Sequence, residues 1–128
     1  MRVLLDTHAL LWFLLNDSRL SATAKSAISD PANEVAVSPA SYWEIAIKVA
    51  LGKFVLPRPY QEFIESQLLR NDFRILHIEP SHTSQLIGMP FHHRDPFGRL
   101  LIAQALAEKI DIVSADAKFD LYQVRRLW

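Results

Sequence analysis

Arg2-Val3-Leu4-Leu5-Asp6-Thr7-His8 holds the most informative transition in the chain. Val3-Leu4-Leu5 is apolar without alternation, which suits a short strand buried on both faces in a parallel sheet covered by helices. Asp6 follows at once and suits the N-cap of a helix beginning near Thr7. An acid just past a strand end stands where open α/β sheets place their ligand-binding groups.

The rest of the chain repeats this alternation. Residues 7–16 read as a helix ended by Asn16-Asp17-Ser18, and Ser21 caps a second helix through about Ser29. Glu34 to Val37 is a strand. Ser38-Pro39 starts a helix that runs to about Leu51 and stops at Gly52. Pro59 begins another through Arg70, Arg74 to His77 is a third strand, and Pro80 to Ile87 a short helix. Asp95-Pro96 opens a long helix to about Lys109, Ile110 to Ser114 is a fourth strand, and residues near Val124 add a fifth. The expected architecture is one α/β domain over 1–128, with helices on both faces of a mainly parallel sheet of four to five strands.

Half of the 128 residues are apolar, enough for a core without disulfide or metal staples. The absence of cysteine excludes a disulfide framework and thiolate zinc sites, and fits a reducing, cytoplasmic setting. The start of the chain does not read as a signal peptide. Ala9 to Leu15, the longest apolar run near it, is too short to cross a bilayer, so no membrane role is expected. The 14 basic and 14 acidic residues balance, so any grip on nucleic acid must come from local patches.

Four acids stand out: Asp6, Glu44, Asp95 and Asp116. Each has a plain structural role open to it. Asp6 and Asp95 suit helix caps, Asp116 after Ser114-Ala115 suits a turn or cap, and Glu44 suits an i,i+4 pair with Lys48 on a solvated stripe. The helix around Glu44 is apolar nearly all round, however, and a buried carboxylate needs a partner. Acids this far apart in sequence meet only if the fold gathers them, and gathered carboxylates repel one another unless a divalent cation joins them. A metal-dependent nuclease is the reading that follows.

Leu4-Leu5-Asp6-Thr7-His8-Ala9-Leu10-Leu11-Trp12, Ser41-Tyr42-Trp43-Glu44-Ile45-Ala46-Ile47-Lys48, His93-Arg94-Asp95-Pro96-Phe97 with Arg99-Leu100-Leu101-Ile102-Ala103-Gln104-Ala105, and Val113-Ser114-Ala115-Asp116 resemble, in order, the motifs of PIN-domain ribonucleases. The similarity is greatest to the VapC toxins of bacterial toxin–antitoxin modules and covers essentially the whole chain. It implies a PIN-like α/β/α sandwich and endonucleolytic RNA cleavage leaving a 5′-phosphate and a 3′-hydroxyl. An all-oxygen ligand set favours Mg²⁺ or Mn²⁺ over zinc. Asp6, Asp116 and an acid at position 98 would hold the metal, Glu44 would ligate or orient the attacking water, and Asp95 would support the helix start. Thr7 and Ser114 would brace the ligands by hydrogen bonding. Arg94, Arg99, Lys48 and Lys118 are candidate RNA contacts. The resemblance also implies a VapB-type antitoxin, a toxin homodimer within a larger complex, and a transfer or ribosomal RNA loop as substrate.

One position departs from the pattern. The resembled toxins usually read Asp-Pro-Phe-Asp-Arg where this chain reads Asp95-Pro96-Phe97-Gly98-Arg99. Glycine inside a helix costs up to about 1 kcal/mol relative to alanine, and an acid near a helix start would favour the dipole. Gly98 is therefore expected to weaken metal binding and RNA cleavage. It was either introduced to disarm a toxic nuclease, or is natural, with Asp95 or a water filling the gap.

Three other readings compete. A catalytically inactive PIN-fold module would keep only antitoxin or RNA binding. A receiver-like signalling domain would want acidic neighbours after the first strand, which Leu4-Leu5-Asp6 lacks. An aspartyl phosphatase would want an acid two residues after Asp6, where His8 stands. His92 and His93 are adjacent and expected to point apart at the surface. Trp12 to Leu15, with Trp43 and Val49, exceed what one helix face needs, and any uncovered remainder would be an interface.

Overall fold

The structure, a computed structural model, describes residues 1–128. Its elements are β1 (Arg2–Leu5), α1 (Thr7–Leu14), α2 (Ala22–Ser29), β2 (Glu34–Val37), α3 (Pro39–Ala50), α4 (Tyr60–Arg70), β3 (Arg74–Ile75), α5 (Pro80–Ile87), α6 (Pro96–Glu108), β4 (Asp111–Val113) and β5 (Arg126–Leu127). A 3₁₀ turn at Ala117–Leu121, which the sequence does not announce, follows β4. The strands run in the order β3-β2-β1-β4-β5, and every pairing is parallel, so the sheet is wholly rather than mainly parallel.

Register positions the site. Leu5 lies opposite both Val37 and Val113, so the three central strands end level. The next residues, Asp6, Ser38 and Ser114, therefore share one edge of the sheet. The Asp6 N–H extends the ladder by one step, donating to Val113 O at 3.0 Å.

Alternate strand residues enter two apolar layers, as a sheet covered on both faces requires. Val3, Leu5, Val35, Val37 and Val113 pack with Leu10, Ile28, Ile45 and Phe63 on one face. Leu4, Ala36 and Ile112 pack with Leu101, Ile102 and Phe119 on the other. No helix is long and apolar enough to cross a membrane.

Local chemistry sets the boundaries. Asp6, Ser21, Ser38 and Asp95 cap their helices with side-chain oxygens. α1 ends at Leu14, before Asn16 turns left-handed at φ 52°. Lys109, at φ 55°, does the same after α6, where glycine is the usual choice. β3 is shorter than the expected Arg74 to His77: Arg74 and Ile75 pair in register with β2, and Leu76 adds one last N–H to Val37 O at 2.9 Å.

α5 is fastened to α6 by His82, which is fully buried. Its Nδ1 accepts the Glu79 N–H at 3.0 Å, so its proton lies on Nε2, 2.8 Å from Glu108 Oε2. That hydrogen bond above all, with the nearby Arg2 guanidinium, holds the Glu108 carboxyl below the usual range. Replacing His82 by leucine keeps the volume and strands both partners. His82→Leu should cost about 2 kcal/mol in urea denaturation; a loss within about 0.5 kcal/mol would contradict the role.

Candidate active site

The four acids reach one place from four different elements. Asp6 closes β1, Glu44 sits in the second turn of α3, Asp95 caps α6 and Asp116 caps the 3₁₀ turn. Together with Thr7, His8, Gly98, Leu101 and Phe119 they line a cavity of about 120 Å³. A larger cavity of about 520 Å³, bordered by Ser84, Met89, Leu106 and Tyr122, has no acid, histidine, lysine or arginine in its wall.

Capping and cavity-lining turn out to be one arrangement. Asp6 Oδ1 accepts the Ala9 N–H at 2.7 Å, Asp95 Oδ1 that of Phe97 at 3.1 Å, and Asp116 Oδ1 that of Lys118 at 3.0 Å. Each cap fixes its carboxylate through one oxygen and spares the other. Glu44 works similarly: its Oε2 takes Lys48 Nζ at 2.8 Å and its Oε1 has no partner. The i,i+4 pair exists, but not on a solvated stripe, since the Glu44 side chain is only 8% exposed.

Asp6 is the most constrained of the four. Burial, joined weakly by the Glu44 charge, pushes its carboxyl up from the ordinary aspartate value, against hydrogen bonds from Ser114 and the Ala9 N–H and the influence of His8. Ser114 is fully buried and accepts the Asp116 N–H at 3.0 Å. Thr7 Oγ1 is buried without a partner. His8, absent from the sequence-based site, lines the cavity and stacks against Trp12 and Phe54. Its place directly after Asp6 and Thr7 was the available signal.

Around Gly98 the structure corrects two expectations. Arg99 is not available as a phosphate contact: it is buried, donates to Pro90 O at 2.7 Å and Met89 O at 3.3 Å, and lies 4.0 Å over Phe91. Satisfying two carbonyls before α6 is a better use of a buried guanidinium than reaching for solvent. His93 is half-buried rather than a plain surface residue: its Nε2 is shielded from water and unpartnered. His92 is exposed and packs edge-on against Tyr122. Lys48 is engaged with Glu44, which leaves Arg94 and Lys118 as the exposed candidate cations. Trp43, one of the surplus apolar residues, is 59% exposed and stacks edge-on against Phe97.

The donor set fits a hard divalent cation. Four carboxylates share one small cavity, three with a spare oxygen held by a cap, and the deepest is pushed toward its neutral form by burial. No three His, Asp or Glu side chains close around a common point as a ready-made cage. Mg²⁺ does not require one, since it keeps several waters and binds through one or two carboxylates plus substrate phosphate.

Asp6→Asn tests the cost of that buried charge, because asparagine keeps the cap. The folded state holds the Asp6 proton more tightly than the unfolded state does. Native stability is therefore lost as pH rises from the ordinary aspartate value through the raised one. The neutral amide of the variant escapes this loss. In chelator at neutral pH the variant should be more stable by about 1 kcal/mol, with the gain vanishing in acid. A destabilised variant would contradict the strain.

A family model described as PIN domain matches residues 3–125. The chain is 31% identical over 117 residues to Ribonuclease VapC22 of Mycobacterium tuberculosis, covering 91% of this chain and 88% of that relative. Among solved structures it is similar to VapBC2 from Rickettsia felis bound to a promoter DNA fragment, with TM-score 0.70 at 14% identity, covering 98% and 97% of the two chains. It is also similar to FitAcB from Neisseria gonorrhoeae, with TM-score 0.68 at 19% identity, covering 97% and 95%. The fold, the order of the acids and these matches agree: the chain belongs to the PIN-domain family, in its VapC-type group.

Proposed function

We propose that this chain is the endoribonuclease toxin of a VapBC-type module, dependent on Mg²⁺ or Mn²⁺, acting in the cytoplasm and weakened by glycine at position 98. The convergence of Asp6, Glu44, Asp95 and Asp116 on one cavity carries this reading. The similarity to a protein named as a ribonuclease supports it.

Asp6 and Asp116 would hold the cation through the oxygens their caps leave free. When bound, the cation activates a water for in-line attack on the phosphodiester and offsets charge on the phosphoryl oxygens. Lys48 anchors Glu44 through Oε2, leaving Oε1 to accept a hydrogen bond from the attacking water. Ser114 braces Asp116 from behind by accepting its N–H, whereas Thr7, expected to help, has no hydrogen-bond partner on its hydroxyl. Arg94 and Lys118, both exposed, are suited to flanking phosphates in a transfer or ribosomal RNA loop.

The outer face of α3 suits a protein partner. Trp43, Ile47 and Leu51 recur at i, i+4 and i+8 and are 59%, 37% and 64% exposed. A VapB-type antitoxin and a second toxin copy are the partners this reading assigns; the similar solved structures are complexes described as VapBC2 and FitAcB. An inactive binding module is the second reading, and buried Gly98 is the observation that favours it.

RNA cleavage with and without Mg²⁺ decides between them. This chain should cut slowly, Gly98→Asp faster by about tenfold or more, and Asp116→Asn and chelator should abolish cutting. A Gly98→Asp protein that is folded, binds Mg²⁺ and leaves RNA intact would select the inactive module.

A further inference from the structure

Position 98 carries no side chain, but its surroundings are not vacant. The point a Cβ would occupy lies 3.1 Å from Asp95 Oδ2 and 3.1 Å from His93 Nε2, with Phe119 Cε1 at 3.5 Å. Contacts that tight would make a neighbour give way. Both polar atoms can rest where they do because residue 98 is glycine.

Asp95 is held from its other side. Its Oδ1 accepts the Phe97 N–H, which orients the carboxylate and leaves Oδ2 without a protein partner. Asp95 lines the same cavity as Asp6, Glu44 and Asp116.

The proton on His93 can be assigned from its surroundings. Its Nδ1 lies 3.2 Å from the Tyr122 hydroxyl. That hydroxyl is approached by the His92 N–H at 3.2 Å and Arg99 Nη1 at 3.5 Å, and both can only donate. The single phenolic proton is left for His93 Nδ1, so the neutral ring carries its own proton on Nε2. That N–H borders the same point as Asp95 Oδ2 and has no acceptor in the fold. Donor and acceptor thus flank one point, 3.1 Å from each, without being hydrogen-bonded to each other.

We propose that Asp95, positioned by His93, supplies in this chain the carboxylate that position 98 lacks, giving a hard divalent cation its third acid beside Asp6 and Asp116. This deepens the nuclease reading and rests on it. Asp95 is then both the cap of α6 and a cavity acid, and His93 is its positioning residue, itself set by Tyr122. An acid at position 98 would displace both atoms and make Asp95 dispensable for the metal.

Titration of Mn²⁺ without RNA tests this. The proteins are the parent, Asp95→Asn, Gly98→Asp and the Gly98→Asp/Asp95→Asn double variant. Asparagine caps helices well, so Asp95→Asn removes the charge and keeps the fold, which circular dichroism checks. Asp95→Asn should weaken Mn²⁺ binding about tenfold in the parent and by no more than about twofold beside Gly98→Asp. Equal losses in both backgrounds, or none in the parent, overturn the proposal. Binding by Gly98→Asp but not by the parent overturns it and leaves the nuclease reading standing, whereas binding by neither overturns that reading as well. His93→Phe should weaken binding in the parent, and His93→Gln, which keeps an N–H donor, should restore it. Nitrogen-15 spectra of the metal-free protein should show the His93 proton on Nε2, and a proton on Nδ1 would remove the positioning role.

Discussion

Putting several carboxylates at one end of a sheet is the constraint that organises this molecule. Asp6 bears most of it, being buried at the end of β1 with one oxygen fixed by the Ala9 N–H. The level ends of β1, β2 and β4 bring the acids near one another, and the helix and turn starts aim them. Without that register, Asp6 and Asp116 would be ordinary caps on separate elements. With it, the acids border one cavity, where burial already penalises the Asp6 charge, a cost that a bound cation would offset.

Economy of oxygens follows from the same geometry. A capping aspartate uses one oxygen on a backbone N–H and has another to spare, so stabilising a helix start and binding a ligand do not compete. Asp6, Asp95 and Asp116 all work this way. Glu44 lies inside a helix and has no cap to hold it, so Lys48 one turn later fixes it instead. A lysine that looks like an RNA contact in sequence is therefore better understood as part of the acid's mounting.

Legibility in the sequence divides along physical lines. Local signals mark the element boundaries well: Ser38-Pro39 and Asp95-Pro96 as helix starts, and unbroken apolar runs as sheet interior. The acids are findable because each follows or opens a recognisable element, or, for Glu44, sits on a helix with no polar face. Arg99 and His93 are misjudged from sequence because their environment comes from Tyr122, distant in the chain, and from the fold of the preceding loop, which turns the Met89 and Pro90 carbonyls and the Phe91 ring onto Arg99. No window of sequence around a charged side chain tells whether a remote hydroxyl or carbonyl will satisfy it. Gly98 is visible as a broken local rule, but its consequence, two polar atoms at the edge of the space a side chain would need, belongs to packing alone.

The central claim is that the gathered acids form a cation site, and anomalous scattering from crystals soaked in Mn²⁺ tests it most directly. The account predicts a peak in the cavity between Asp6, Asp95 and Asp116, with the free carboxylate oxygens turned toward it. Saturating Mn²⁺ with no peak there, or with peaks only on surface acids outside the cavity, would contradict it.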